Sequence, residues 1–416
     1  MTRSLSALTA AVLLTGAVVR GENWPEFRGP TGQGIVRQGG LPVEWGPSKN
    51  VVWKQPIPGK GWSSPVVDAR RVYLTSSVPV ADSLSHDQSL RALCLDAETG
   101  KVRWDREVFH QNGSTAAGIH GKNSHASATP AVYGRRLYVH FGHQGTACLD
   151  LSGKILWRNT SLKYHPVHGN GGSPIVVDGA LVFSCDGSDK RFVAALDCDN
   201  GKVLWTTDRT GEVHKKFSFS TPLVITVNGK KQVVSPGSDA VVAYDPRTGA
   251  EIWRVRYDGY SVVPRPVYGH GLVFVCTGYE DAGLLAIRPD GAGDVTDTHV
   301  AWQTRKAAPH TPSPLLVGDE LYMVADAGIA SCLDAATGRV HWQRRIGGTY
   351  SASPVFAGGK VYFQSEQGTG VVLTAGKQFK LLARNALGER TLASYAAADG
   401  ALFIRTEEYL YRIQAR

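Results

Sequence analysis

The chain has no long stretch with apolar residues at helical spacing, which argues against a helical bundle or a wound α/β sheet. One apolar run stands at the very start, and no second membrane segment follows, so a multi-span membrane protein is not expected. Charge of one sign is nowhere dense. The formal net charge is +9, and the tightest basic points are the pairs Lys215–Lys216 and Lys230–Lys231. A nucleic-acid face needs a concentrated basic stripe, so no nucleic-acid partner is expected. The six cysteines include no adjacent pair. Cys94, Cys148 and Cys332 each precede the same "LD", and other copies of that slot carry Ala195 and Ala243. Such positions suit small buried side chains better than a disulfide framework. Cys185 and Cys198 stay open as one candidate pair.

What is present in quantity is turn formers and large aromatics. There are 47 Gly, 21 Pro, 10 Trp and 15 Tyr in 416 residues. This mixture reads as many short strands joined by tight turns. Residues 1–21, "MTRSLSALTAAVLLTGAVVRG", combine a basic start, an apolar run to Val19 and small residues suited to cleavage. They read as a secretory signal peptide. With no Cys near the cut, the expected product is exported, periplasmic or extracellular, and not a lipoprotein. Loss of Arg3 and Arg20 would lower the charge to +7.

A repeat organises the rest. "LDAETGKVRW" ends at Trp104, and related stretches end at Trp157, Trp205, Trp253 and Trp342, with a looser copy ending at Trp302. Spacings of 40 to 53 residues signal a propeller or a solenoid. Upstream of each copy a Ser or Thr, usually followed by Pro, opens a hydrophobic run: "SSPVV", "ATPAV", "GSPIV", "STPLV", "PRPVY", "PSPLL" and "ASPVF", with a degenerate eighth from Ala393. Each unit then reads as four antiparallel strands, which is a blade. The eighth unit stops one strand short, and "NVVWK", Asn50 to Lys54, has the form of a closing strand. The fold class expected is all-β: an eight-bladed β-propeller of four-stranded antiparallel blades over residues 50–416, its ring closed by the N-terminal strand. Residues 22–49, rich in Gly and Pro, read as an ordered lead-in across the surface.

The repeated residues have structural roles. Asp96 suits a turn whose carboxylate accepts backbone N–H bonds. Gly100 supplies a left-handed conformation. Trp104 offers a flat wedge between blades with an N–H that reaches a carbonyl. A calcium loop starting at Asp96 would want Gly at its sixth position, which is Lys101. The acid at Glu98 is Asp199, Arg247 and Ala336 in other copies, so neither a metal loop nor a catalytic acid pair is expected.

The unit "A/C-L-D-x-x-T-G-K-x-x-W" resembles the repeat of pyrroloquinoline quinone (PQQ) propellers. That superfamily holds quinoprotein alcohol dehydrogenases and the BamB-type propeller of outer-membrane assembly. The dehydrogenase resemblance implies quinone and calcium held in the central funnel by two acids and an Asn. It also implies adjacent cysteines, which are absent here. The BamB resemblance implies an acylated Cys, also absent.

In a propeller, loops at the mouth of the channel carry function. Residues just before each opening are therefore the funnel candidates: Trp62, His125, His168, Lys216, Tyr260, His310 and Tyr350, joined by Arg265 inside its opening. Seven of thirteen histidines fall between His110 and His168. Such a cluster could hold zinc or copper, but exposed loop histidines fit the long polar loop better, and no metal is expected. The leading function is a monomeric, non-catalytic binding or assembly scaffold, meeting an envelope protein or anionic polymer at the loop face or funnel, with no cofactor. The alternative is a quinoprotein dehydrogenase of an alcohol or sugar, with PQQ and calcium. A glycan- or anion-binding enzyme using the histidine-rich loop is the third reading.

Overall fold

Eight sheets follow one another around a ring. A computed structural model describes residues 22–415 apart from 38, 82, 84, 117, 212 and 281. The predicted signal peptide lies outside these residues. Each sheet has four antiparallel strands starting from an inner strand beside the axis, and the blade-four sheet adds a short fifth strand, Gly293–Asp294, parallel to its outer strand. The inner strands of blades one to eight are Val66–Asp68, Ala131–Tyr133, Ile175–Val177, Leu223–Val227, Val267–Gly269, Leu315–Val317, Val355–Ala357 and Ala396–Ala398. Blade eight is completed by Val51–Pro56, which pairs antiparallel with Tyr409–Gln414. The N-terminal strand thus closes the ring and covers an edge that would otherwise template aggregation. No helix among the described residues is long and apolar enough to cross a membrane.

The repeat signature is the joint between blades. Asp96 Oδ1 accepts the N–H groups of Glu98 and Thr99 at 3.0 and 2.9 Å. Gly100 has φ +72°, and a Cβ there would sit 2.7 Å from the Trp53 ring. The Trp of one blade therefore lies flat on the turn glycine of the next. Its indole N–H then donates to a carbonyl in that same turn. The bond runs from Trp104 to Leu151, Trp157 to Cys198, Trp205 to Pro246, Trp302 to Ala335 and Trp342 to Gly376, at 3.0 to 3.1 Å. Trp53 bonds Ala97 O likewise. Each wedge buries a large ring and satisfies its polar edge at once. Glu98, which varies between copies, pairs with Arg70 on the surface.

Two joints depart from this pattern. After blade four, the segment with strand Gly293–Asp294 and helix Thr296–His299 replaces the short turn. Trp253 there donates to Gln232 Oε1 at 2.8 Å, and Gln232 donates on to Pro289 O. Blade seven has Ala383 in the Trp position, opposite Val372 as Trp342 is opposite Cys332. Trp45 of the lead-in fills the gap, stacked on Tyr362 and edge-on to Tyr395. The lead-in is thus a built part of the ring, with Trp24, Leu41 and Trp45 buried, and not a strap over the surface. All six cysteines are buried and free, so the candidate pair Cys185–Cys198 is corrected. Both fill apolar space in one core cluster.

Candidate functional site: the axial cavity

The Ser or Thr of each opening forms a girdle around the axis. Ser64 N–H donates to Thr129 Oγ1, Thr129 to Ser173 Oγ and Ser173 to Thr221 Oγ1, at 2.9 to 3.0 Å. Arg265 donates to Ser313 Oγ, Ser313 to Ser353 Oγ, Ser353 to Ser394 Oγ and Ser394 to Ser64 Oγ, at 2.9 to 3.2 Å. Seven hydroxyls each accept the backbone N–H of the neighbouring blade. The recurring Ser or Thr is explained by this bond, since the buried N–H needs an acceptor.

Arg265 occupies the eighth girdle position, and it is only 2% exposed. Its guanidinium turns toward the lead-in, 3.0 Å from Glu26 Oε1, and donates to Phe27 O and Pro222 O. Burial pushes the Glu26 carboxyl up, against the pull of Arg265. Trp24 bridges Val67, Pro25 O accepts Val132 N–H, and Val36 N–H donates to Phe356 O. All these partners lie on inner strands beyond the girdle. Residues 24–36 therefore cross the far end of the channel, with Phe27 forming part of its floor. The expected funnel cation is an anchor for this plug.

Above the plug lies a cavity of about 330 Å3. Trp62, His168 and Tyr260 line it, as the sequence positions suggested. The other candidates do not. Tyr350 is 1% exposed and packs in the core between blades six and seven. His125 is half-buried off the lining. His310 stacks on Tyr279 at 4.6 Å, its backbone N–H bonded to Asp326. Lys216 faces a separate cleft. The residue before an opening picks the right loop, but loop conformation decides which side chain turns inward.

Sequence reasoning missed Phe217, Phe219, Tyr279, Lys122 and Asn123 on the wall. The alternation in "KFSFSTP" was the signal for the two phenylalanines. Lys122 belongs to the long blade-one-to-two loop, which lies over the mouth. Lys122 Nζ stands 2.8 Å from Glu366 Oε1, and Arg390 donates to Gly121 O at 2.8 Å. Burial opposes the Lys122 charge, but the Glu366 bond and charge outweigh it and raise its pKa. Asn123 Nδ2 donates to His168 O, and the His120 and His168 rings meet at 5.4 Å.

The histidines do not converge. Among the described residues no three His, Cys, Asp or Glu groups are placed to hold one metal ion. His110 pairs with Asp87. His140 is 3% exposed. It bonds Thr146 Oγ1 and packs on Phe183 at 4.2 Å, because its strand directs it between blades two and three. Burial and the His143 charge pull its pKa down to about 3.

A family model described as outer membrane protein assembly factor BamB, of the PQQ-repeat type, matches residues 32–161, 144–235 and 189–416. The chain belongs to this family. The BamB of Shewanella oneidensis is 26% identical over 232 residues, 51% of this chain and 55% of that protein. A polyvinylalcohol dehydrogenase of a Pseudomonas species is 24% identical over 345 residues, 68% of this chain and 50% of that one. The chain thus spans about half the length of these curated relatives. The quinohemoprotein alcohol dehydrogenase of Comamonas testosteroni superposes with a TM-score of 0.67 at 11% identity, over 94% of this chain and 80% of that one. This last likeness concerns the fold alone.

Proposed function

We propose that this BamB-family propeller is a non-catalytic binding scaffold of the cell envelope, holding a segment of an outer-membrane assembly partner at the loop face and cavity mouth. The observation that carries the reading is the make-up of the cavity wall. It is built from girdle hydroxyls, aromatic rings and two histidines, with one lysine, and among the described residues it contains no Asp or Glu. Calcium takes six to eight oxygens, carboxylates prominent among them. Here the one wall amide, Asn123, already bonds His168 O and Ser124 N–H. The donors present do not fit a calcium–quinone pair. Aromatic side chains beside hydroxyls and a lysine suit a peptide or an anionic group instead. The kinship to assembly factors and the predicted signal peptide support an envelope location.

The second reading, a quinoprotein dehydrogenase, rests on the relative named for polyvinylalcohol oxidation. The two part in a crosslinking experiment. A photoreactive residue replacing Trp62 or Tyr279, in cells, is expected to crosslink to a component of the outer-membrane assembly machinery. No such crosslink, together with a quinone that co-purifies, overturns the scaffold reading.

A further inference from the structure

A second concavity opens beside the mouth, between blades two, three and four. It measures about 580 Å3 and is lined by Ser161 to Lys163, the hairpin Asp189 to Phe192 and the loop around Arg209 to Lys216. Five of its side chains are cationic. Arg209 is spent on the buried Asp186, at 2.8 Å. Arg191 is different. It is 8% exposed, and its guanidinium bonds only backbone carbonyls: Ser238 O at 3.3 Å, Thr210 O at 3.0 Å and Gly211 O. Burial and the neighbouring Arg209 charge pull its pKa below the usual arginine range. The Asp186 and Asp239 carboxylates offset part of this from nearby, but neither bonds the guanidinium, whose hydrogen bonds go to carbonyls.

The rim adds to this charge. Lys163 bonds His143 O at 2.9 Å, and Lys216 reaches Asp189 O at 3.4 Å. Among the described residues, Lys163, Lys190, Lys216 and Arg191 make no ion pair. Two acids face the cleft. Asp189 is engaged by His165 N–H at 2.7 Å, and Asp208 stands exposed at the rim. Glu212, in the same loop, lies outside the described residues. The cations arrive from three chain segments, which surrounds a tetrahedral group better than a flat one.

We infer that this cleft is an anion site for a phosphoryl group, carried by a lipid headgroup or by a free phosphate ester, with Arg191 at its base and Lys163, Lys190 and Lys216 at its rim. A phosphate monoester offers three terminal acceptor oxygens to these donors, where a carboxylate offers two. The site is independent of what occupies the axial cavity. Isothermal titration of the full chain at low salt with inorganic pyrophosphate tests it, with citrate as the carboxylate comparator. Pyrophosphate is expected to bind with a Kd of about 1 mM or tighter. The exposed double variant Lys163→Glu/Lys190→Glu is expected to weaken it at least about tenfold, with the unfolding temperature unchanged. Binding that the variant leaves intact, or no binding up to about ten times that Kd, overturns the site. Citrate bound as tightly as pyrophosphate overturns the phosphoryl assignment. Vesicles of phosphatidic acid, whose headgroup is a phosphate monoester, in phosphatidylcholine separate the sources. Adsorption lost in the variant assigns a lipid headgroup, and pyrophosphate binding without adsorption assigns a free ester.

Discussion

Replacing Ser173 with Ala removes one girdle hydroxyl and nothing else of size. Ser173 is 3% exposed, and its Oγ accepts Thr129 N–H at 2.9 Å. Thr129 is itself buried, so the orphaned donor has no route to bulk water. A buried donor left without an acceptor costs about 1–3 kcal/mol. Ser353→Ala acts on another part of the ring, where Ser313 N–H loses its acceptor and Ser313 Oγ loses a hydroxyl donor. The two sites share no partner, so their costs are expected to add within about 0.5 kcal/mol, giving about 2–6 kcal/mol for the pair. Urea unfolding followed by tryptophan fluorescence measures this, with the slope against urea expected to stay constant. A loss below about 0.5 kcal/mol for each single variant would refute the reasoning. It would mean that the recurring Ser and Thr are kept for something other than tying blades together.

Arg265→Ser restores the girdle consensus yet is expected to destabilise. It removes the guanidinium bonds to Glu26, Phe27 O and Pro222 O and frees the lead-in plug, at a cost of about 1–3 kcal/mol. Limited proteolysis should then cut between residues 24 and 36 while the ring stays folded. Acid stability is set in part by His140. Its folded pKa, about 3, lies below the 6.5 of the free side chain. The neutral ring therefore contributes stability that is fully present above pH 6.5 and is lost as pH falls toward 3. His140→Asn is expected to flatten the pH dependence of the unfolding free energy across that window. An unchanged slope would show that the histidine titrates normally in the fold.

The ring was legible because its signals are local and repeated. The residue types of Asp96, Gly100 and Trp104 recur in five close copies and a looser sixth, each with a turn or wedge to make, and the blade opening recurs eight times, so eight blades and a closing strand could be counted. The lead-in was not legible in the same way. Gly29, Gly32 and Gly34 have no periodicity, and nothing local marks Glu26 as the partner of Arg265, which stands 239 positions away. The mouth was half legible. Trp62, His168 and Tyr260 do line the cavity, yet Tyr350 turns into the core. His168 and Ser261 sit in left-handed backbone conformations, φ +64° and +54°, which a spacing rule does not foresee. Lys122 was hidden because its function as a bridge depends on Glu366 of blade seven, far along the chain.

The central claim is that the axial cavity receives part of a partner and does not carry out quinone chemistry. Titration of the purified chain with PQQ in the presence of calcium, followed by absorbance and by dye reduction with alcohols and sugars, tests it most directly. No saturable calcium-dependent quinone band and no dye reduction above that of free quinone are expected. A stoichiometric band that disappears on chelation, with substrate-dependent dye reduction, would contradict it.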